Sequence, residues 1–353
     1  SDSLKTHAIE PYFYHGQQYG SESQFGPINI FLNVGMMLAG KFNYSDHIFD
    51  IHYKTQFKNV IHSITHPSET IEKEGTWSFF QDEVIPFAGG RGAWSPNYTL
   101  HMIGEGLVYR KLAEKYQYDG VFFPRTLAAL SVTAAQLMNE TIENGVERHQ
   151  NTDALADFWF NLAGITLFTF DPIAKIFTGN LQVNYWPGQP VFTLNDYALI
   201  NHMEMYAWKI HLGSWTSKRL FIGSGLPSAI GISSPQDKEN TYTYVMGLNA
   251  GDAGKGYVQE KEYQHAQFAG YLTSSFSTIY PMLGWFWDRK ESLMLRVLFG
   301  YSSTLHVDIN AYPGVFHIGD YPIGGYVLAT GFESISIGLT CPIAIVPGFR
   351  YKE

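Results

Sequence analysis

The sequence has few cysteines, few charges and no long apolar run, and each shortage excludes a class of protein. Its single cysteine, Cys341, cannot form an intrachain disulfide or a thiolate cluster for zinc or iron-sulfur. No window offers the roughly 20 consecutive apolar residues of a membrane-spanning helix. The glycine run at 89–92 has no Lys-Ser or Lys-Thr after it, so a phosphate-binding loop is not indicated. The net charge of −9 argues against a nucleic-acid partner.

The balance between charged and aromatic residues is unusual for a soluble domain. Charged residues are only 16% of the chain, against about 25% in typical soluble domains, and aromatic residues also reach 16%. Such a composition indicates a protein that meets surroundings less polar than water. Because no spanning helix is predicted, contact with the interior of a membrane would require a closed β-barrel.

Three helices are predicted between residues 97 and 177. The first runs through Glu105–Tyr116, and it would also include His101 if it begins by residue 100. The second covers about 124–147 and starts at a proline, which suits the first helical turn. The third runs from an N-cap at Asn151 or Thr152 to about residue 170, where Asp171-Pro172 would stop it.

Polar residues recur at helical spacing on these otherwise apolar helices, which predicts a polar network where the helices meet. Asp153, Asp157 and Asn161 follow one another at intervals of four, as do His101 and Glu105. The predicted network comprises His101, Glu105, Glu140, Glu143, Asp153, Asp157 and Asn161.

Two kinds of chemistry suit this network. His101, Glu105, Glu140 and Asp157 are candidate catalytic residues, because histidine and carboxylates act as general bases and acids. Glu140, Glu143 and Asp157 are weak candidate ligands for a divalent cation such as Ca²⁺ or Mg²⁺, and no other cofactor is predicted. A network that only satisfies helix packing would use the same residues, and no serine nucleophile motif is present.

Beyond residue 177 the period of the sequence changes to that of strands. Leu293–Asn310 is the strongest case, since apolar residues alternate with Arg296, His306, Asp308 and Asn310, and we interpret it as one long strand. Weaker alternation marks 181–185, 241–248, 266–280 and 334–346. About eight strands are predicted from residue 179 onward.

The first 96 residues show no sustained period and are predicted to be an irregular arm with short apolar segments. Within it, Val60–Thr65 is predicted to be extended, which would place His62 and His66 roughly 13 Å apart. The charged residues 69–74 are predicted to form a surface loop. The predicted domains are therefore 1–96, a helical segment at 97–177 and barrel strands at 178–353.

A resemblance to a known class of proteins rests on residues from the helical segment and on the strand series. The residues that carry it are Trp94-Ser-Pro-Asn-Tyr98, His101-Met-Ile-Gly-Glu105, Tyr109-Arg110, Asn139-Glu140, Asp157 and Asn161. The chain resembles Gram-negative outer-membrane β-barrel proteins, and in particular an uncharacterised group with an embedded helical segment before the barrel.

The resemblance implies an α+β membrane protein, in which an antiparallel transmembrane barrel of about eight or more strands carries about three helices. It also implies an exported chain in the outer membrane of a Gram-negative bacterium, with the mature N-terminus at or near Ser1. Lipid of that membrane is the expected partner, together with other outer-membrane proteins.

Three functions remain open on the sequence alone. The first, which we favour, is a structural or interaction role, with the chain as a subunit of a larger outer-membrane assembly. In that case barrel groups such as Arg296 and His306 would satisfy the helix network. The second is an enzyme that acts on lipid or lipopolysaccharide through a carboxylate and histidine site. The third is a small-solute channel.

Overall fold

The chain forms an α+β fold in which the helices come first and the strands follow. The computed structural model describes residues 9–37, 48–86, 94–144, 151–179, 181–201, 204–225, 228–250, 279–301, 305–331 and 334–352. Three predicted features lie outside these ranges: the glycine run at 89–92, the end of the second helix at Glu147, and nearly all of the alternating segment 266–280.

Eight α-helices are present in the described part of the chain. They are α1 (Pro27–Ile30), α2 (Tyr53–Thr65), α3 (Pro67–Glu74), α4 (Thr76–Phe79), α5 (Glu105–Tyr118), α6 (Pro124–Asn144), α7 (Thr152–Phe168) and α8 (Asp171–Gly179). Wider helical turns at Phe31–Gly35, Phe80–Val84 and Trp94–Gly104 continue α1 and α4 and lead into α5.

The three predicted helices correspond to α5, α6 and α7. The Asn151 side chain caps α7 as predicted, since its Oδ1 atom accepts a hydrogen bond of 3.3 Å from the backbone N–H of Asp153. Helix α7 ends at Phe168, before Asp171-Pro172, as predicted. The same pair also starts α8, which was not predicted and is tilted by 91° against α7. Proline is accepted in the first turn of a helix, where its missing N–H would have no helical partner.

Among the described residues, no single helix is both long and apolar enough to cross a membrane. Only the bent pair α7–α8 has the length and the composition when its two helices are taken together.

The N-terminal 96 residues are more helical than predicted. The predicted extended segment Val60–Thr65 is the end of α2, and the imidazole rings of His62 and His66 stack there with centroids 4.2 Å apart. The predicted surface loop at 69–74 belongs to α3. The sequence does not indicate α2 because the buried face of this helix is mostly polar: Gln56, Asn59 and Ser63 are buried beside Val60.

Thirteen strands form one sheet in the described residues. Their bounds are β1 (Val183–Trp186), β2 (Val191–Thr193), β3 (Leu199–Ile200), β4 (Met205–His211), β5 (Arg219–Gly225), β6 (Ser228–Pro235), β7 (Asn240–Ala250), β8 (Ile279–Arg289), β9 (Ser292–Tyr301), β10 (Leu305–Ile318), β11 (Tyr321–Thr330), β12 (Ser334–Thr340) and β13 (Val346–Lys352). The order is β1-β4, then β5 to β13 in sequence, then β2-β3, and every pair is antiparallel except β13–β2.

The prediction of a single strand over Leu293–Asn310 is wrong. The segment is a hairpin of β9 and β10, in which Tyr301 lies opposite Leu305. These two residues are four apart, so the alternation keeps its phase through the turn and gives no sign of it. The predicted division into two faces holds for Val297, Phe299 and Ile309 on one face and for buried Arg296 and Asn310 on the other. It is wrong for Leu293, because a register shift opposite Trp287 and Asp288 places this residue in the core that contains Trp186 and Phe286.

The first hairpin of the sheet is broken in the middle of both its strands. Trp186 of β1 lies opposite Met205 of β4, and Val191 of β2 lies opposite Ile200 of β3. Val191 lies five residues after Trp186, and Ile200 lies five residues before Met205. The two pairs therefore have the same register, and β1–β4 and β2–β3 belong to one ladder. Pro187 and Pro190 fall in the break, where they offer no N–H to a ladder.

The sheet is strongly curved. Lys209 Nζ on β4 lies 2.7 Å from Asp288 Oδ1 on β8, although three strands separate β4 from β8. Four strand spacings of a flat sheet would cover roughly 19 Å. The concave face therefore wraps around a core that includes Trp186, Phe221 and Phe286.

The helices pack on the convex face of the sheet at β1 and β4. Val183, Tyr185 and Tyr206 belong to the core that the helices share with these strands, whereas neighbouring Trp186 belongs to the concave core. Since side chains alternate between the two faces of a strand, the bundle and the concave core lie on opposite sides of this hairpin.

Candidate functional site

His101 is the centre of a buried polar cluster in the helical bundle. It lies in the wide helical turn before α5, and its Nδ1 atom is 3.4 Å from Glu105 Oε1, one turn further along. On the other side of the ring, Nε2 is 3.2 Å from Asp157 Oδ2 of α7. His101, Glu105 and Asp157 are all buried. The structure thus brings together three of the four predicted catalytic candidates.

Gln136 connects the fourth candidate, Glu140, to this centre. Its Nε2 atom is 3.1 Å from His101 Nδ1 and donates a hydrogen bond of 2.8 Å to Glu140 Oε1. Gln136 was not included in the predicted network. Its position four residues before Glu140, on the same face of α6, was the signal that would have identified it.

The other predicted network residues are buried around this centre or interact with it through charge. The Glu143 and Asp153 carboxylates act electrostatically on Glu140, and Asp153 and Asn161 are buried on α7. The predicted link to the sheet is wrong for Arg296, whose Nη2 atom instead forms an ion pair of 2.8 Å with Asp308 Oδ2. Strand order, which the alternation does not reveal, decides that pairing.

Burial and neighbouring charges raise the pKa values of His101, Glu105 and Glu140. Burial alone would lower the pKa of His101, but the Asp157 and Glu105 carboxylates outweigh it and place that pKa well above its ordinary value. Burial raises the pKa of Glu105, and the nearby imidazole offsets this only in part. Burial, followed by repulsion from Asp157, Glu143 and Asp153, raises the pKa of Glu140 well above its ordinary value. The surroundings thus favour the protonated forms of His101, Glu105 and Glu140 more than water does.

Several buried oxygens of the cluster have no hydrogen-bonding partner among the described residues. They are Glu105 Oε2, Gln136 Oε1, Asn139 Oδ1, Glu140 Oε2, Asp157 Oδ1 and Asn161 Oδ1. A buried carboxylate without a partner is costly, and protonation of the acid reduces that cost. For Glu105 and Glu140, burial is therefore the common cause of the raised pKa and of the unpartnered oxygen.

The geometry limits the chemistry available to His101. Both of its ring nitrogens face carboxylate oxygens, and Gln136 Nε2 also approaches Nδ1, so neither nitrogen is free to serve as a general base for a substrate. Among the described residues, no three histidine, cysteine, aspartate or glutamate side chains are arranged to hold a metal ion.

Two residues at the border between the cluster and the sheet were not predicted. Tyr206 of β4 donates a hydrogen bond of 3.2 Å from its hydroxyl to buried Glu204 Oε1. Gly104 packs against the same ring, so closely that a Cβ atom at this position would lie 2.7 Å from Tyr206 Cζ. The glycine allows the turn that carries His101 to approach the sheet.

Comparisons with known protein families, curated proteins and solved structures give no match. The large, mostly antiparallel sheet with associated helices is compatible with a barrel-like fold. The resemblance to outer-membrane proteins remains a prediction from the sequence.

Proposed function

We propose that this protein is an integral β-barrel protein of a bacterial outer membrane with a structural or interaction role. The observation that carries the proposal is the polarity of the sheet. Two continuous apolar rows cross its convex face, whereas buried charges occupy its concave face. A protein dissolved in water is expected to have the opposite arrangement.

The first row, called the Met246 row, has one residue from each strand from β4 to β13. Its members lie opposite one another in register: Trp208, Ile222, Ile230, Met246, Leu283, Phe299, Val307, Ala329, Ile335 and Tyr351. None is charged and none is buried, and Met246 and Leu283 are 62% and 63% exposed. Scattered apolar residues are ordinary on a protein surface, but a row across ten strands is not.

The second row, called the Tyr244 row, lies two residues away on the same face. It consists of Ile210, Leu220, Ile232, Tyr244, Trp285, Val297, Ile309, Val327, Ile337 and Phe349. The strands β7 and β8 are 11 residues long, which is the length that a tilted strand needs to cross a membrane.

Closure into a barrel is supported by the broken first hairpin. The sheet begins at β1 and ends at β3, and both of these strands belong to that hairpin. The stretch that pairs with β4 through β1 pairs with β13 through β2, and only four residues separate β1 from β2. Counting β1 with β2 and β3 with β4, the thirteen segments would make eleven strands around the proposed barrel.

A channel is a weaker proposal, because large side chains fill the concave side. Trp186, Phe286 and Tyr312 are buried there, together with Arg296, which is paired with Asp308. A lumen that conducts solutes needs free cross-section, and these side chains occupy it.

A lipid-acting enzyme is the second candidate, and one observation favours it. His101, Glu105, Glu140 and Asp157 form a buried ionisable cluster beside a proposed membrane surface, and ionisable groups at membrane depth are functional candidates. The absence of a free imidazole nitrogen argues for a structural use of the cluster. If Glu140→Gln and Asp157→Asn fold normally and leave lipid composition unchanged in cells, the structural proposal is supported.

Arginine substitutions on the convex face test the main proposal. In a water-soluble protein, Met246→Arg at an exposed position changes stability by less than about 0.5 kcal/mol. In a barrel wall, the same change costs about 2–4 kcal/mol near the membrane midplane. We expect Met246→Arg combined with Leu283→Arg to reduce the folded, membrane-inserted fraction strongly.

The control is Gln236→Arg in the exposed turn between β6 and β7, which should leave insertion unchanged. Equal amounts of folded protein for the double variant and the control would contradict the proposal.

A further inference from the structure

Helix α7 has the same inverted polarity as the sheet, and we propose that its outer face contacts the acyl chains of membrane lipid. The inference rests on the proposed function, because it assigns part of the helical bundle to the same lipid layer as the strands. It adds a lipid-binding surface on a helix, whereas the proposed barrel requires lipid contact only along strands.

The two faces of α7 are reversed relative to a helix in water. Asp153, Asp157 and Asn161 are buried in the bundle. Exposed or half-exposed positions carry almost only apolar side chains: Phe158, Trp159, Phe160, Leu162, Ala163, Ile165, Thr166, Leu167 and, just after the helix, Thr169 and Phe170. A surface helix of a soluble protein turns its charged residues outward.

The two polar side chains in this outer set are already satisfied by backbone carbonyls of the helix. Thr166 donates a hydrogen bond of 2.8 Å from its hydroxyl to the carbonyl oxygen of Leu162, and Thr169 donates one of 2.9 Å to that of Ile165. A threonine bonded in this way needs no water and is accepted in an apolar environment. The outer face of α7 therefore offers water no charge and no free hydroxyl.

Helix α8 lies between α7 and the Met246 row. Phe177 of α8 packs on Trp208, the β4 member of that row, with ring centroids 5.9 Å apart. Exposed apolar side chains occur at Phe170, just before α8, and at Ile176, next to Phe177, which are 57% and 48% exposed. Apolar side chains of α8 thus connect the outer face of α7 to the row at Trp208, beside the exposed charge of Lys175.

The opposite region of the bundle has the ordinary polarity. On α2 and α3, the exposed positions include Lys54, Lys58, Glu69, Glu72 and Lys73. The N-terminus of α7 lies beside this region, because Thr152 donates a hydrogen bond of 2.6 Å to Glu74 Oε2. The bundle therefore has a charged side at the start of α7 and an apolar side along its length, which suits a position partly in water and partly in lipid.

Lipid is favoured over a protein partner as the occupant of this face. A docking groove for another chain usually carries a polar rim that directs hydrogen bonds. The outer positions of α7 contain no such group apart from Thr166 and Thr169, whose hydroxyls are bonded within the helix. If lipid covers this face, the His101 cluster behind it is screened from water by acyl chains, and any molecule that reaches it from this side must dissolve in the membrane.

Spin labels at single cysteines test the proposal. In a Cys341→Ser background, a nitroxide is attached at Trp159→Cys or Leu167→Cys, with Met246→Cys as the sheet reference and Glu72→Cys as the water reference. The full chain is reconstituted into phospholipid vesicles. Collisions of the label with oxygen, which dissolves in lipid, are compared with collisions with a water-soluble nickel chelate.

We expect the labels at 159 and 167 to match the label at 246, with frequent oxygen collisions and few nickel collisions. Labels at 159 and 167 that behave like the label at 72 would overturn the inference, while a lipid-exposed label at 246 leaves the barrel proposal standing. Labels shielded from both reagents indicate a protein partner and also overturn it. A label at 246 that meets the nickel chelate freely would contradict the barrel and, with it, the inference.

Discussion

Lys209 Nζ lies 2.7 Å from Asp288 Oδ1, although strands β5, β6 and β7 separate the two strands that carry these residues. Both side chains are buried, and the Lys209 ammonium also lies 5.1 Å from the centre of the Trp186 ring. The ion pair thus ties together distant strands across the concave face, and it exists only if the sheet is curved.

Breaking this pair from one side is expected to destabilise the sheet. Asp288→Asn leaves the buried Lys209 charge without its partner, which costs about 3–5 kcal/mol of the free energy of unfolding. Replacing both residues with Lys209→Met and Asp288→Leu should recover most of the loss, because no charge then remains buried. Circular dichroism during thermal unfolding in detergent measures both effects.

The exposed pair between Arg289 and Glu239, at 2.9 Å, provides the control. Glu239→Gln should change the unfolding temperature little, because water screens this pair. If Asp288→Asn lowers the unfolding temperature no more than Glu239→Gln does, the buried pair does not stabilise the curvature of the sheet.

The Asn33 side chain is expected to replace the backbone hydrogen bonds that are missing at the break in the first hairpin. Its Oδ1 atom accepts a hydrogen bond of 2.9 Å from the Gly188 N–H, and its Nδ2 atom donates one of 3.4 Å to the Gly188 carbonyl. Asn33→Ala leaves a buried N–H and C=O without this partner, at a cost of about 1–3 kcal/mol for each group. Hydrogen exchange at the Gly188 amide should become faster, and exchange in β7 to β9 should change much less.

Exposed Gln18 serves as the matched position for Asn33, and Gln18→Ala should leave the Gly188 amide as protected as before. An unchanged exchange rate in Asn33→Ala would show that the break does not depend on this side chain.

The close contact between Gly104 and Tyr206 predicts a strong effect of a single methyl group. In Gly104→Ala the new Cβ atom would lie 2.7 Å from Tyr206 Cζ, so the helical turn and the sheet must move apart. Such overpacking typically costs about 1–3 kcal/mol. Thermal unfolding of Gly104→Ala with and without Tyr206→Leu measures the effect, and the second substitution should relieve it.

Gly179→Ala is a suitable comparison, since no atom lies within 4 Å of a Cβ built there. The account would be wrong at this contact if Gly104→Ala and Gly179→Ala had the same unfolding temperature.

The buried acid cluster predicts that alkaline pH destabilises the helical bundle. Glu140 and Glu105 have pKa values raised above the ordinary 4.5. As the pH rises above 4.5, the folded state therefore keeps more bound protons than the unfolded state. His101, whose pKa lies well above 6.5, acts in the same direction at higher pH. Each extra bound proton lowers the free energy of unfolding by about 1.4 kcal/mol per pH unit.

Thermal unfolding from mildly acidic to alkaline pH checks this sign. Glu140→Gln imitates the neutral acid and should flatten the decline above pH 4.5, whereas Glu72→Gln on the exposed face of α3 should keep the full pH dependence. Stability that increases with pH in the unmodified protein would contradict the proposed protonation of the cluster.

The sequence predicted those parts of the structure that depend on local spacing. His101 and Glu105 are one helical turn apart, and Asp153, Asp157 and Asn161 share a face of α7, so their burial in one bundle followed from the period. In the same way, the alternation of Leu293–Asn310 correctly assigned the two faces of β9 and β10, except at Leu293.

What escaped prediction depends on contacts between residues that are distant in sequence. The ion pair of Lys209 with Asp288 requires the strand order and the curvature, and neither leaves a mark in local spacing. The hairpin between Tyr301 and Leu305 preserved the alternation and hid its turn. The helix α2 was missed because tertiary packing buries its polar residues Gln56, Asn59 and Ser63, against the usual pattern.

Migration on SDS gels, combined with membrane fractionation, tests the central claim most directly. The protein is extracted from bacterial membranes in mild detergent and compared before and after boiling. A membrane-inserted barrel predicts recovery in the membrane fraction and a clear shift in migration on boiling, because a closed hydrogen-bonded wall resists SDS until it is heated. Recovery in the soluble fraction with identical migration of boiled and unboiled samples would contradict the account.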